Sequence, residues 1–229
     1  MNVNEEELAR IIDQSLHGPG ITEEQTRLFC IEAKKYKFGA VVVNQWLLEV
    51  ARELLDGSGI KLVSPVAFPF GTSTLDVKMY EVHDSIKRGA DELDMVLNIG
   101  AIKSGKYKIV EEEMKALREE AAGKVVKVIL ETGVLEPGQI VTVCSLAKEI
   151  EIDYVKTSTG YITPGATIEA VRIMRGAVGD RVRVKAAGGI HTLAQAIAML
   201  EAGADRIGTS HGVEIIEELR AVSSRQSRR

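Results

Sequence analysis

Eight short runs rich in Val and Ile alternate along the chain with stretches of helical period, an order that suits repeated βα units rather than hairpins. The runs fall near 11–15, 39–44, 61–68, 91–98, 124–131, 153–158, 181–186 and 205–209. At 229 residues the chain allots roughly 29 to each unit, room for one strand, one helix and two short loops. The prediction is an α/β chain folded as a single-domain (β/α)8 TIM barrel over residues 1–229, with a doubly wound parallel sheet as the rival. The polar stretch after Leu219 is expected to fray.

Helix signals fall between the runs. Thr22 and Gln25 have capping-box spacing, Thr74 opens a stretch that ends at Gly89, and Pro137 suits a first helical turn. Gly39, Gly89 and Gly203 each stand just before a run, where a left-handed cap would feed the next strand.

Composition narrows function by exclusion. With 29 Lys+Arg against 33 Asp+Glu, the formal charge of -4 offers no general cationic field for nucleic acid or an anionic membrane, so an anionic ligand must be gripped locally. No apolar run approaches the about eighteen residues of a membrane span, and the start MNVNEEELARIID has no signal-type apolar core. No membrane partner and a cytoplasmic location are expected. Cys30 and Cys144 lie in helical stretches without ligand-like spacing and read as buried free thiols. No GxGxxG, HExxH or spaced Cys/His set occurs, so neither an organic cofactor nor a metal is expected. The stretch GAIKSGKY at 100–107 approaches a phosphate-binding P-loop, but Tyr107 stands where a magnesium-binding Ser or Thr is required.

The anomaly lies inside the runs, several of which carry an ionisable residue where barrel strands are normally filled by branched aliphatics. Alternation over 91–98 sends Leu93, Met95 and Leu97 toward the helices and Glu92, Asp94, Val96 and Asn98 toward the axis. The same count turns Lys127, Ile129 and Glu131 inward in the fifth run, Lys156 in the sixth and Lys185 in the seventh. Three ammonium groups thus converge with the Asp94 carboxylate toward the strand C-terminal ends, where barrel enzymes do their chemistry. Asp94 alone does not neutralise three lysines, so buried positive charge is left over. For Lys156 and Lys185 nitrogens about 6 Å apart, repulsion of about 2.8 kcal/mol at an effective dielectric of about 20 would bring one amine down by about two pKa units from about 10.4. An amine so lowered is a nucleophile toward a carbonyl. A Schiff-base enzyme is the leading reading, with Asp94 moving protons. An ion-pair network that only fixes packing, or a register that turns the lysines outward, are the alternatives.

Loops of small residues follow the last three runs: Thr157-Ser158-Thr159-Gly160, Ala187-Gly188-Gly189-Ile190 and Gly208-Thr209-Ser210-His211-Gly212. Small residues let backbone N–H groups approach an anion, and the loops after strands seven and eight are the usual barrel phosphate site. A small phosphorylated substrate is expected there, held by Thr159, Gly160, Gly188, Gly189, Gly208 and Ser210.

Taken in order, GADELDMV at 89–96, KVILET at 127–132, VKTSTG at 155–160 and VKAAGGI at 184–190 make the chain resemble the deoxyribose-phosphate aldolases from about Ile12 to about Gly212. The resemblance implies a barrel that cleaves 2-deoxy-D-ribose 5-phosphate to glyceraldehyde 3-phosphate and acetaldehyde in deoxyribonucleotide catabolism. It implies no metal or organic cofactor, and a homo-oligomer of two or more chains. It also implies roles. Lys156 is the Schiff-base nucleophile, Lys185 the neighbouring cation that lowers its proton affinity and joins proton transfer, and Asp94 an acid/base acting through water. Asp13, with Ser15 beside it and Lys127, joins the substrate-binding network.

The chain departs from the family pattern at Val42, where most members carry Cys, and at His17, His191 and His211, where Leu, Arg and Ser are usual. Drift at exposed loops and an altered phosphate grip are the two accounts, since His191 supplies charge only when protonated. His191 and His211 are placed with the substrate-binding residues. A related Schiff-base aldolase with another aldehyde or sugar substrate, and a non-catalytic sugar-phosphate-binding barrel, are the alternative functions.

Overall fold

Each run forms a strand: β1 (Ile12–Leu16), β2 (Ala40–Val43), β3 (Lys61–Val66), β4 (Glu92–Val96), β5 (Val125–Ile129), β6 (Tyr154–Lys156), β7 (Arg183–Ala187) and β8 (Arg206–Thr209). This is a computed structural model, and it describes residues 4–226. Every strand pairs in parallel with its chain neighbours, and β8 returns to β1 through Ile12↔Ile207 and Asp13↔Gly208, so the sheet closes as an eight-stranded barrel. That closure excludes the doubly wound rival.

Around the barrel run α1 (Glu5–Arg10), α2 (Glu23–Tyr36), α3 (Leu48–Leu55), α4 (Leu75–Lys87), α5 (Ile99–Lys103), α6 (Tyr107–Glu120), α7 (Pro137–Glu149), α8 (Ile168–Val178), α9 (Leu193–Glu201) and α10 (Gly212–Gln226). The predicted starts hold. Gln25 donates its backbone N–H to Thr22 Oγ1 at 3.2 Å while its side chain accepts from the Thr22 N–H at 2.9 Å, Thr74 stands at the N-cap position of α4 without a side-chain bond to the helix, and Pro137 opens α7. Outward strand residues such as Leu93, Met95, Val128 and Val184 pack into one continuous apolar layer under the helices. A small inner cluster of Ala40, Val42 and Val63 fills the β2–β3 side of the barrel.

One device repeats at the strand N-terminal ends. The carboxylates of Asp91, Asp153 and Asp205 accept the backbone N–H of Leu62, Val126 and Val184 at 2.9, 2.9 and 2.6 Å, and they pair with Arg52, Arg118 and Arg175 respectively. Each acidic residue thus ties its own strand to the preceding one and to a helix, which fixes the register that the site above depends on.

Two expectations are corrected. Gly39 does not carry the left-handed cap of α2. Lys37 does, at φ 55°, and position 39 is glycine because a Cβ would collide with the Arg10 carbonyl. The tail from 220 continues α10 to Gln226 because Arg220 pairs at 2.6 Å with both Glu5 of α1 and Glu217, its guanidinium 5.2 Å from the centre of the Tyr36 ring. Residues 227–229 lie outside the described residues.

Candidate active site

Sheet register places Asp94 opposite Lys127 and Lys156 opposite Lys185. The two oxygens of Asp94 accept all three lysines: Oδ1 from Lys127 at 2.7 Å, and Oδ2 from Lys156 at 2.9 Å and Lys185 at 2.8 Å. Lys127 also reaches Glu92 at 2.6 Å, Lys185 pairs with Asp13, and Arg206 pairs with Asp13 and forks onto both Glu92 oxygens at 3.0 and 2.8 Å. Asp94 is therefore not alone against the lysines as expected. Asp13 and Glu92 share the task, and Arg206, which the sequence reading left out, adds a fourth cation. Counted formally, four cations face three carboxylates, so the buried cluster carries one surplus positive charge and becomes neutral if a single amine loses its proton.

Lys156 is the amine placed to do so. Burial is the largest influence on it and outweighs the opposing pull of Asp94; Lys185 and then Lys127 push the same way, and its pKa falls to about 8. The expected order of causes is thus reversed, desolvation coming before repulsion from Lys185. Burial also acts against the charged form of Lys127, but Asp94 and Glu92 prevail and hold that ammonium above its ordinary value. For Asp94, burial raises the pKa, yet Lys127, Lys156 and Lys185 together hold it well below the usual carboxylate value, so the resting group is an acceptor. Lys185 and Arg206 lower Asp13 against burial in the same way.

Lys156, 5% exposed, is the member of this cluster that opens on a cavity of about 280 Å³. Ser15 in β1 and His17 just after it, Thr159 to Tyr161 after β6, Ala187 to His191 from the last residue of β7 onward and Gly208 to Ser210 at the end of β8 form the rest of its wall. Among the predicted residues, Ser15, Thr159, Gly160, Gly188, Gly189, His191, Gly208 and Ser210 stand on that wall with Lys156. Lys127 and Asp13 do not. Both are fully buried in ion pairs beneath it, so they shape the electrostatics and leave the cavity wall to others. His211 is also off the wall, stacked on His191 with ring centroids 4.2 Å apart and planes at 11°.

The glycines serve packing as well as any ligand. Gly188 adopts φ 89°, and a Cβ there would lie 2.9 Å from the Gly165 Cα and 3.1 Å from the Gly160 Cα, so the loops after β6 and β7 touch backbone to backbone. At Gly208 a Cβ would come within 3.0 Å of the Lys185 Cε. Glu131, inward by alternation but given no role, clamps the loop after β6: it accepts from the Thr159 N–H at 2.9 Å, the Thr159 hydroxyl at 2.6 Å and the Thr163 hydroxyl at 2.5 Å. Its backbone is left-handed at φ 57°, an uncommon conformation for a residue with a side chain. Tyr161 was likewise missed, because nothing in the pattern distinguishes a loop tyrosine from an exposed one. Among the described residues no cluster of His, Cys, Asp and Glu has the arrangement of a metal site.

Comparison with known proteins agrees with this geometry. Residues 10–218 match the DeoC/LacD family aldolases. The chain is 44% identical over 213 residues to the deoxyribose-phosphate aldolase of Clostridium tetani, covering 93% of this chain and 99% of that one. It is 46% identical over 219 residues to that of Thermococcus kodakarensis, covering 94% and 98%. Among solved structures, a putative deoxyribose-phosphate aldolase from Coccidioides immitis superposes with a TM-score of 0.92 at 37% identity, covering 95% of this chain and 87% of the other. The deoxyribose phosphate aldolase of Aeropyrum pernix, described as tetrameric, superposes with a TM-score of 0.89 at 33% identity, covering 96% and 93%.

Proposed function

The chain belongs to the DeoC/LacD aldolase family, and we propose that it reversibly cleaves 2-deoxy-D-ribose 5-phosphate to D-glyceraldehyde 3-phosphate and acetaldehyde through a Schiff base on Lys156. The observation that carries this reading is a single buried amine facing a cavity, with a pKa lowered to about 8 and a cluster that becomes neutral when it deprotonates.

Neutral Lys156 Nζ adds to the C1 carbonyl of the open-chain sugar, and the adduct loses its oxygen as water to leave an iminium. The C3 hydroxyl gives up its proton and the C2–C3 bond breaks. Its electron pair passes into the iminium to form an enamine, and C3 departs as the aldehyde of glyceraldehyde 3-phosphate. A proton returned to C2 regenerates an iminium, which water hydrolyses to acetaldehyde and the free amine. Lys185 shares the Asp94 oxygen with Lys156 and is the adjacent ammonium for these proton transfers, while Asp94 holds both nitrogens in place. The glycine-rich loops after β6, β7 and β8 take the phosphate end.

A homo-oligomer is proposed on the likeness to the tetrameric Aeropyrum pernix structure, and a cytoplasmic location is consistent with there being no helix, among the described residues, long and apolar enough to cross a membrane. The test of function is borohydride trapping with acetaldehyde, read by mass spectrometry on Lys156 with Lys156→Ala as control. A Lys156 adduct supports the reading, and its absence overturns it. Preference for deoxyribose 5-phosphate over deoxyribose then distinguishes this substrate from that of a related aldolase.

A further inference from the structure

A second cavity of about 380 Å³ adjoins the catalytic one and shares two of its walls, His17 and Tyr161. Its other walls include Pro19, Trp46, Phe68 and Pro69, a lining of rings with little polar character. The partition is itself a cluster of rings: His17 lies 4.7 Å from Phe68 and 5.5 Å from Tyr161, and Phe68 lies 5.3 Å from Tyr161. One tie holds it shut. The Tyr161 hydroxyl donates to the His17 carbonyl at 2.6 Å and stands 3.1 Å from His17 Nδ1. The loop beneath is fixed independently, since the Asn44 side chain accepts from the Gly18 N–H at 3.2 Å and donates to the Gly18 carbonyl at 2.8 Å. Tyr161 itself is half exposed. It can therefore swing without disturbing the floor of either cavity. Burial, with Lys156 and Lys185 next, lowers the His17 pKa to about 4, so at neutral pH the partition carries no charge that would repel an apolar group.

We propose that this annex receives the apolar tail of an aldehyde whose carbonyl is captured at Lys156, with Tyr161 and His17 as the specificity-determining partition between head and tail. The inference rests on the Schiff-base reading for the head of the ligand, while the annex itself can be tested without it. Capture forms the Nζ–C bond and releases the carbonyl oxygen as water; borohydride then adds hydride and fixes the adduct as a secondary amine.

The chain has one tryptophan, Trp46, and it lies on the annex wall, so its emission reports occupancy. Titration of the full chain with 2-phenylethanol, which has the tail but no carbonyl, is expected to give a saturable emission change, in Lys156→Ala as in the wild type. Trapping rates on Lys156 are then compared for phenylacetaldehyde and acetaldehyde. Opening the partition with Tyr161→Ala is expected to raise the ratio of the two rates about tenfold, the order by which apolar contacts discriminate substrates. Tyr161→Phe keeps the ring, removes the tie to His17 and should move the ratio in the same direction. A flat Trp46 titration, or a ratio unchanged in both variants, overturns the proposal. Failure to trap acetaldehyde in the wild type would instead overturn the aldolase reading, and the phenylethanol titration would still decide the annex.

Discussion

Lys156 and Lys185 donate to the same oxygen of Asp94, at 2.9 and 2.8 Å, from adjacent positions in register on β6 and β7. Two ammonium groups on one carboxylate oxygen are stable only while other carboxylates share the load, and Asp13 shares it for Lys185 alone. Lys156 has no second anionic partner, and it is the one that meets the cavity. The asymmetry between two otherwise similar lysines follows from these contacts.

That asymmetry costs stability. Lys156 has a folded-state pKa of about 8 against an ordinary 10.5, so between those pH values the unfolded chain binds the extra proton and the fold loses stability as pH falls through the window, with no further loss from this group below it. Lys156→Met, which fills similar space without charge, is expected to stabilise the protein at neutral pH by roughly 1–3 kcal/mol while abolishing the adduct. Thermal unfolding at pH 7 checks this as a Tm raised by several degrees. A lower Tm would contradict it.

Substitutions around the amine should move its titration in opposite directions. Asp94→Asn removes the group that opposes deprotonation, so the acid limb of the trapping rate shifts to lower pH, even though a buried cation network left short of an anion lowers stability by about 3–5 kcal/mol. Lys185→Met removes a neighbouring cation, so the limb shifts to higher pH. Trapping rate against pH in the two variants reads both signs.

Gly188→Ala forces a side chain into backbone 2.9 Å away at a left-handed position. It is expected to cost about 1–3 kcal/mol and to raise KM for the phosphorylated sugar more than it lowers kcat. Denaturant unfolding and steady-state kinetics together separate it from a purely structural change.

The stacked pair of His191 and His211 gives the fourth prediction. His191 stands on the cavity wall beside the glycine-rich loops, so His191→Ala is expected to weaken binding of deoxyribose 5-phosphate several-fold and to slow acetaldehyde trapping on Lys156 much less. An affinity unchanged in His191→Ala would remove the stacked histidines from the phosphate grip.

Much of this architecture was legible in the sequence because strand periodicity is a strict two, which fixed the inward direction of Asp94, Lys127, Lys156 and Lys185 without coordinates. What periodicity could not supply was depth along the barrel axis. Lys127 and Lys156 both point inward, yet one is sealed beneath the cavity and the other opens on it. Arg206 escaped notice because it opens its strand, where an arginine ordinarily reaches solvent, and its carboxylate partners come from strands distant in sequence. The aromatic partition was invisible for the same reason, since His17, Phe68 and Tyr161 meet only once the barrel closes.

The most direct test of the account is the pH dependence of acetaldehyde trapping at the nitrogen of residue 156, followed in the wild-type chain by reductive labelling and peptide mass spectrometry. Labelling of this lysine is expected to rise with an apparent pKa near 8, well below the ordinary lysine value of 10.5. Labelling that rises only near 10.5 would show that the buried cluster does not activate the amine.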